Sequence, residues 1–149
     1  MTKYLQLMEQ AEQYITEERP KLDGPADVAR FMRPLLKDAE QEMFYVLHMN
    51  SKSCLVYCQL TTVGLADRAN VHAREIFREA IVRNASRVIL CHNHPTGDPT
   101  PSHADISSTK DLIAAGEIIG IKVMDHVVIG KRTETRIKDY VSFREETLL

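Results

Sequence analysis

The run Val88-Ile89-Leu90-Cys91-His92-Asn93-His94-Pro95-Thr96-Gly97-Asp98-Pro99-Thr100-Pro101-Ser102-His103-Ala104-Asp105 encodes a strand, a stiff loop and a helix start in immediate succession. Residues 88–91 are apolar and β-rich, the pattern of a buried strand. Side chains two apart on a strand face the same way. His92 and His94 are therefore expected to point together from the strand's C-terminal end. Pro95, Pro99 and Pro101 stop the strand and stiffen the loop, and Gly97 permits a turn. Ser102 suits the N-cap of a helix over roughly 103–117, which puts Asp105 in its first turn, where an acid is favoured.

This arrangement can hold a divalent metal. Two imidazoles and one carboxylate suit Zn²⁺, and three protein ligands leave a coordination position for water, the catalytic kind of site. The paired histidines alone would be ordinary; the prolines, serine and aspartate make the pattern specific. The consecutive letters His-Asn-His do not make a nuclease of that name, whose residues are spread over a longer ββα unit.

Working outward, residues 3–18 read as a charged amphipathic helix, and 16–25 as linker-like, with Pro20 and Gly24-Pro25. A helix is expected from Ala26 to about Leu36, with Pro34 kinking or shortening it. Strands are expected near 43–49 and 53–60, joined by the turn Asn50-Ser51-Lys52, the second running on or restarting through Val63. A helix over Ala73–Asn84 places Ile76, Phe77, Ala80 and Ile81 at core spacing. Beyond the helix from 103, Gly116 and Gly120 are expected to break the chain before a strand over Lys122–Ile129. Val141–Leu149 reads as a tail or a turn of helix. The order predicts an α/β fold, a mixed β-sheet flanked by helices.

Among the remaining histidines, His126 is expected as a hydrogen-bonded core or edge residue, His72 (with Arg74) as helix capping and bracing, and His48 and His103 as solvated or locally bonded. Cys91 should point away from His92 and pack, so it is not counted as a ligand. Cys54 and Cys58 lie in or beside a strand.

The central run matches HxHPx(6)SxxD at every position, and extends to Thr109 as HNHPxGxPxPSxxDxxxT. It resembles the JAMM (MPN-plus) metalloproteases and, in the longer form, their bacterial RadC branch. Gly24–Ala29, Glu42–Leu47, Val71–Phe77, Asp125–Gly130 and Ser142–Glu145 resemble RadC-type segments in the same order. The resemblance covers residues 24–149, preceded by an N-terminal helix and linker over 1–23. It implies the JAMM/MPN, cytidine-deaminase-like architecture.

It also implies hydrolysis of an amide bond by metal-activated water, with Zn²⁺ held by His92, His94 and Asp105. Ser102 would donate a hydrogen bond to the developing oxyanion. A glutamate opening an early strand would hold the water and shuttle its proton. Glu42 immediately precedes Met43-Phe44-Tyr45-Val46-Leu47 and is assigned that role, with Glu40 and Glu75 as the alternatives. The chain departs from the family at Ala73, where a proline is common, and residues 1–23 are too few for the helix-hairpin-helix region many members carry.

Composition bounds the other readings. The 149 residues are one domain's worth, with ordinary hydrophobic (44%) and charged (27%) fractions. No apolar run approaches the roughly 18 residues of a membrane span. The opening Met1-Thr2-Lys3-Tyr4-Leu5-Gln6 soon meets Glu9 and Glu12, unlike a signal peptide. Three cysteines without close pairing point to reduced thiols and a cytoplasmic location. The chain has no Gly-rich phosphate loop, GxGxxG, HExxH or GxSxG.

The RadC name carries an association with DNA repair, but the net charge is −2 and only Lys131-Arg132 are adjacent cations. Direct nucleic-acid binding is therefore unsupported by the sequence. A peptide or protein substrate is expected. The competing reading is a non-catalytic metal-binding or accessory protein, which the retained His92, His94, Ser102 and Asp105 disfavour. The sequence does not give the oligomeric state.

Overall fold

A computed structural model describes residues 2, 3, 5–9, 19–64 and 71–149. Its elements are α1 (Pro25–Leu36), β1 (Met43–Met49), β2 (Leu55–Val63), α2 (Ala73–Val82), β3 (Arg87–Asn93), α3 (His103–Ile119), β4 (Lys122–Ile129) and β5 (Tyr140–Ser142). Residues 5–9 are helical; positions 4 and 10–18 of the expected 3–18 helix lie outside the described residues.

The five strands form one mixed sheet in the order β2-β1-β3-β4-β5. β1 runs antiparallel to both β2 and β3, β3 runs parallel to β4, and β5 runs antiparallel to β4. The parallel β3–β4 pair requires a crossover, and α3 supplies it. The expected α/β class is the one observed.

Helices cover both faces. On one side α1, through Val28, Ala29, Met32 and Leu35, packs against Tyr45, Leu47, Cys91 and Val127. On the other, Ile76, Phe77 and Ala80 of α2 and Leu112 of α3 pack against Phe44, Val46, Val88 and Leu90. Every residue of β1 is buried, because the strand is central and covered twice. Cys91 packs on the α1 side with Ile89, opposite the face carrying His92, as its strand position requires.

Several local expectations are corrected. Gly116 lies inside α3 and breaks nothing; a Cβ there would meet the Ile121 carbonyl at 2.4 Å and Phe77 Cζ at 3.1 Å. Glycine is present because the helix passes too close to its neighbours for a side chain. Gly120 does end α3, in the left-handed conformation at φ 82°. The α2 helix stops at Val82, two residues before Asn84, which is itself left-handed at φ 55°. Pro34 is accommodated near the end of α1, which continues to Leu36.

The tail is not loose. Tyr140–Ser142 pairs with Val127–Ile129 as the fifth strand, and Phe143 is fully buried. Buried Asp125 holds this segment through Ser142 Oγ (2.6 Å) and Arg144 N (3.0 Å). The linker-like stretch is also fixed from Pro20 onward: its carbonyl accepts Leu55 N–H, Leu22 N–H donates to Ser53 O, and Leu22 is buried. β2 starts at Leu55 rather than 53, since Asn50 Oδ1 takes Cys54 N–H and Ser53 is left-handed. His48, expected to be solvated or locally bonded, is buried and bonded across the strands, with Nε2 2.9 Å from Gln59 Oε1.

Candidate metal centre

β3 ends in the site. His92 is its penultimate residue and is fully buried, and His94 follows on the same face, its backbone N–H donating to Ile129 O. The loop that follows is shaped by its own side chains. Asp98 Oδ1 accepts Thr100 N–H (3.0 Å) and the Thr100 hydroxyl (2.7 Å). The Asp98 carbonyl oxygen lies 2.7 Å from His94 Nδ1. A carbonyl only accepts, so Nδ1 carries a proton and donates there, which turns Nε2 to the site.

Asp105 arrives from α3. Ser102 and Asp105 form a capping box: Asp105 N–H donates to Ser102 Oγ (3.1 Å) and Ser102 N–H to Asp105 Oδ2 (2.8 Å). That same Oδ2 is 3.4 Å from His92 Nε2 and 3.3 Å from His94 Nε2, and the two Nε2 atoms are 3.0 Å apart. Burial works to lift the Asp105 carboxyl, but its contacts with His92 and His94 outweigh this and hold it well below the usual carboxylate range.

Glu42 completes the group. β1 and β3 pair with Phe44 opposite His92, so one further same-face step carries Glu42 opposite His94. Glu42 Oε1 lies 3.7 Å from His92 Nε2, and ligand atoms of Glu42, His92, His94 and Asp105 all lie within 4.8 Å of one another. Among the described residues no other such group of His, Cys, Asp or Glu is found. Glu40 and Glu75 are exposed and outside it. Ser102 is exposed at the α3 N-terminus beside the group; its oxygen accepts from Asp105 N–H, leaving its hydroxyl proton to donate elsewhere.

A tetrahedral zinc with bonds of about 2.0–2.1 Å would space its ligand atoms about 3.3 Å apart. The triangle of two Nε2 atoms and Oδ2 has edges of 3.0, 3.3 and 3.4 Å. Two imidazoles, a carboxylate already ionised and this spacing fit a divalent ion of that type.

Two residues around the site were not legible as functional. Asn93, buried between the histidines, accepts Met43 N–H at 2.7 Å and donates to Gln41 O at 3.1 Å. It thus clamps the backbone on both sides of Glu42. His126 meets the expectation of a hydrogen-bonded core histidine, yet its partner is His92 itself: His126 Nε2 is 2.7 Å from His92 Nδ1. Neither contact has a local signal, since each depends on how distant strands pair. His72 occupies the α2 N-cap position without a side-chain cap bond.

The family model for the RadC-like JAB domain matches residues 22–148. The chain belongs to that family. Relatives of this RadC-like JAB domain include a UPF0758 protein of Bacillus cereus strain B4264, 40% identical over 123 residues, or 83% of this chain and 55% of the relative. A UPF0758 protein of Halalkalibacterium halodurans is 41% identical over 122 residues (82% and 53%). One from Methanosarcina mazei is 33% identical over 134 residues (90% and 58%). The chain spans about half the length of the curated relatives it matches. The RadC-like JAB domain here has no described helix long and apolar enough to cross a membrane.

Proposed function

We propose that this domain is a zinc-dependent hydrolase that cleaves an amide bond in a peptide or protein substrate. The observation that carries the reading is the triangle of His92 Nε2, His94 Nε2 and Asp105 Oδ2 with edges near those of a tetrahedral ion. These three residues would hold the metal. When bound, zinc supplies Lewis acidity, polarising a carbonyl and easing deprotonation of water beside it.

The chain's own groups supply the rest. The Glu42 carboxylate, within 3.7 Å of His92 Nε2, takes the proton of the attacking water and passes it to the leaving amine as the C–N bond breaks. The Ser102 hydroxyl donates to the oxyanion that develops on the carbonyl oxygen. Asn93 fixes where Glu42 stands. An open groove of about 570 Å³, lined in part by Lys37, Asn93, His94, Lys131 and Arg132, borders the site through His94 alone. Free cysteines, two of them buried, suit a reducing compartment such as the cytoplasm.

The test is a proteome-wide cleavage screen with zinc-loaded protein, run beside Glu42→Gln. New peptide termini from the wild type, absent with the variant while it still holds one zinc, support the assignment. Undiminished cleavage by Glu42→Gln removes Glu42 from the chemistry, and a wild type that holds no metal removes the hydrolase reading.

A further inference from the structure

We propose that Thr109 and His126 are positioning residues that set the proton of His92, so that its Nε2 is presented to the metal as a lone pair. The inference rests on the metal-site reading and follows from the directions of three short hydrogen bonds. The Thr109 hydroxyl lies 2.6 Å from the Asp105 carbonyl oxygen and 2.6 Å from His126 Nδ1. It has one proton. The carbonyl can only accept, so the hydroxyl donates there and must accept from His126 Nδ1–H. In the neutral ring His126 Nε2 is then an acceptor. The 2.7 Å contact with His92 Nδ1 becomes a bond donated by His92, which leaves the Nε2 lone pair of His92 toward Asp105 and His94.

The surroundings keep the series in this state. Thr109, His126 and His92 are all buried. The His126 ring is stacked on Phe143 at 4.6 Å and met edge-on by Phe44 at 5.5 Å, which fixes the direction of its two nitrogens. The relay starts at Asp105 and ends at His92, so one ligand's backbone orients the other ligand's ring. Metal-binding histidines generally donate their second N–H to an acceptor that fixes tautomer and orientation. Here that acceptor is another imidazole, itself fixed by a threonine one helical turn beyond Asp105.

Removing the hydroxyl inverts the chain of donors. In Thr109→Val the His126 Nδ1–H loses its acceptor, so the ring gains by moving the proton to Nε2. His126 then donates to His92 Nδ1, and the His92 proton occupies the nitrogen needed by the metal.

The experiment has two readouts. Imidazole ¹⁵N–¹H correlation spectra of metal-free wild type should show His92 and His126 each protonated on Nδ1, with His92 switching to Nε2 in Thr109→Val. Chelator competition with Zn²⁺, and the visible absorption of the Co²⁺ form, should show affinity falling about 10–100-fold in Thr109→Val and in His126→Phe. Thr109→Ser should restore it, and adding Thr109→Val to His126→Phe should cost nothing further. If His126→Phe does not fold, Thr109→Val and Thr109→Ser carry the test. A wild-type His92 protonated on Nε2, or a folded Thr109→Val with unchanged affinity and cobalt spectrum, overturns the relay. Absence of metal binding by wild type, with the predicted tautomers present, overturns the metal reading instead.

Discussion

Gly130→Ala tests how firmly the loop after β3 is held. Gly130 follows β4 and touches the loop backbone: a Cβ built on it lies 2.2 Å from the Gly97 carbonyl oxygen and 2.8 Å from Pro99 Cδ. Ordinary carbon contacts begin near 3.5 Å, so the loop must retreat by about 1 Å. It cannot do so alone. Gly97 O also accepts from Lys131 N (2.8 Å) and Arg136 Nη1 (2.8 Å), and Gly97 N–H donates to His94 O (2.9 Å). Overpacking of this kind costs about 1–3 kcal/mol, a melting-point loss of roughly 2–4 °C per kcal/mol for a domain of this size. The same loop carries the Asp98 carbonyl that orients His94, so zinc affinity should fall as well, by about tenfold or more. The assay is thermal melting with chelator competition, using Gly24→Ala as control because nothing lies within 4 Å of a Cβ there. A Gly130→Ala protein that melts and binds zinc like the control would refute the argument.

Three more outcomes are expected. Asn93→Ala leaves Met43 N–H buried without its partner and should cost about 1–3 kcal/mol; turnover should fall more than zinc affinity, as kcat and a zinc titration would show. The Arg33 fork, at 2.7 Å through Nε and through Nη2, holds the Asp139 carboxyl below its usual range. Its stabilisation is therefore present above the unfolded value of about 3.9 and is lost as pH falls through the lower folded value. Denaturant melts should show Asp139→Asn weaker at neutral pH with a shallower acid limb, and equal slopes would count against the pair. Stripping zinc with a chelator should lower stability by about 2.7 kcal/mol relative to free zinc at a hundred times its dissociation constant; coincident melts would argue against a specific site.

How much was readable follows from the range of each signal. The run 88–105 carried its own strand, loop and helix cues, so the meeting of His92, His94 and Asp105 was anticipated from local periodicity and capping. β4 begins and ends where the apolar pattern does. Glu42 was reached through family position and a strand entrance, and the β1–β3 register explains why it stands beside the histidines. By contrast β5 has three residues, too few for alternation to register, and exists through its pairing with β4 and the Asp125 anchor. Gly116 looked like a break because glycine disfavours helix; contacts with Phe77 and Ile121 override that preference. The roles of Asn93 and His126 arise from strands that meet only after folding.

Asp105 Oδ2 closes the capping box and also faces both imidazoles. Ion capture and the integrity of α3's first turn are thus one equilibrium seen from two ends. Amide hydrogen exchange at residues 103–106 should slow when zinc is added, so this helix end can report occupancy without any label on the histidines.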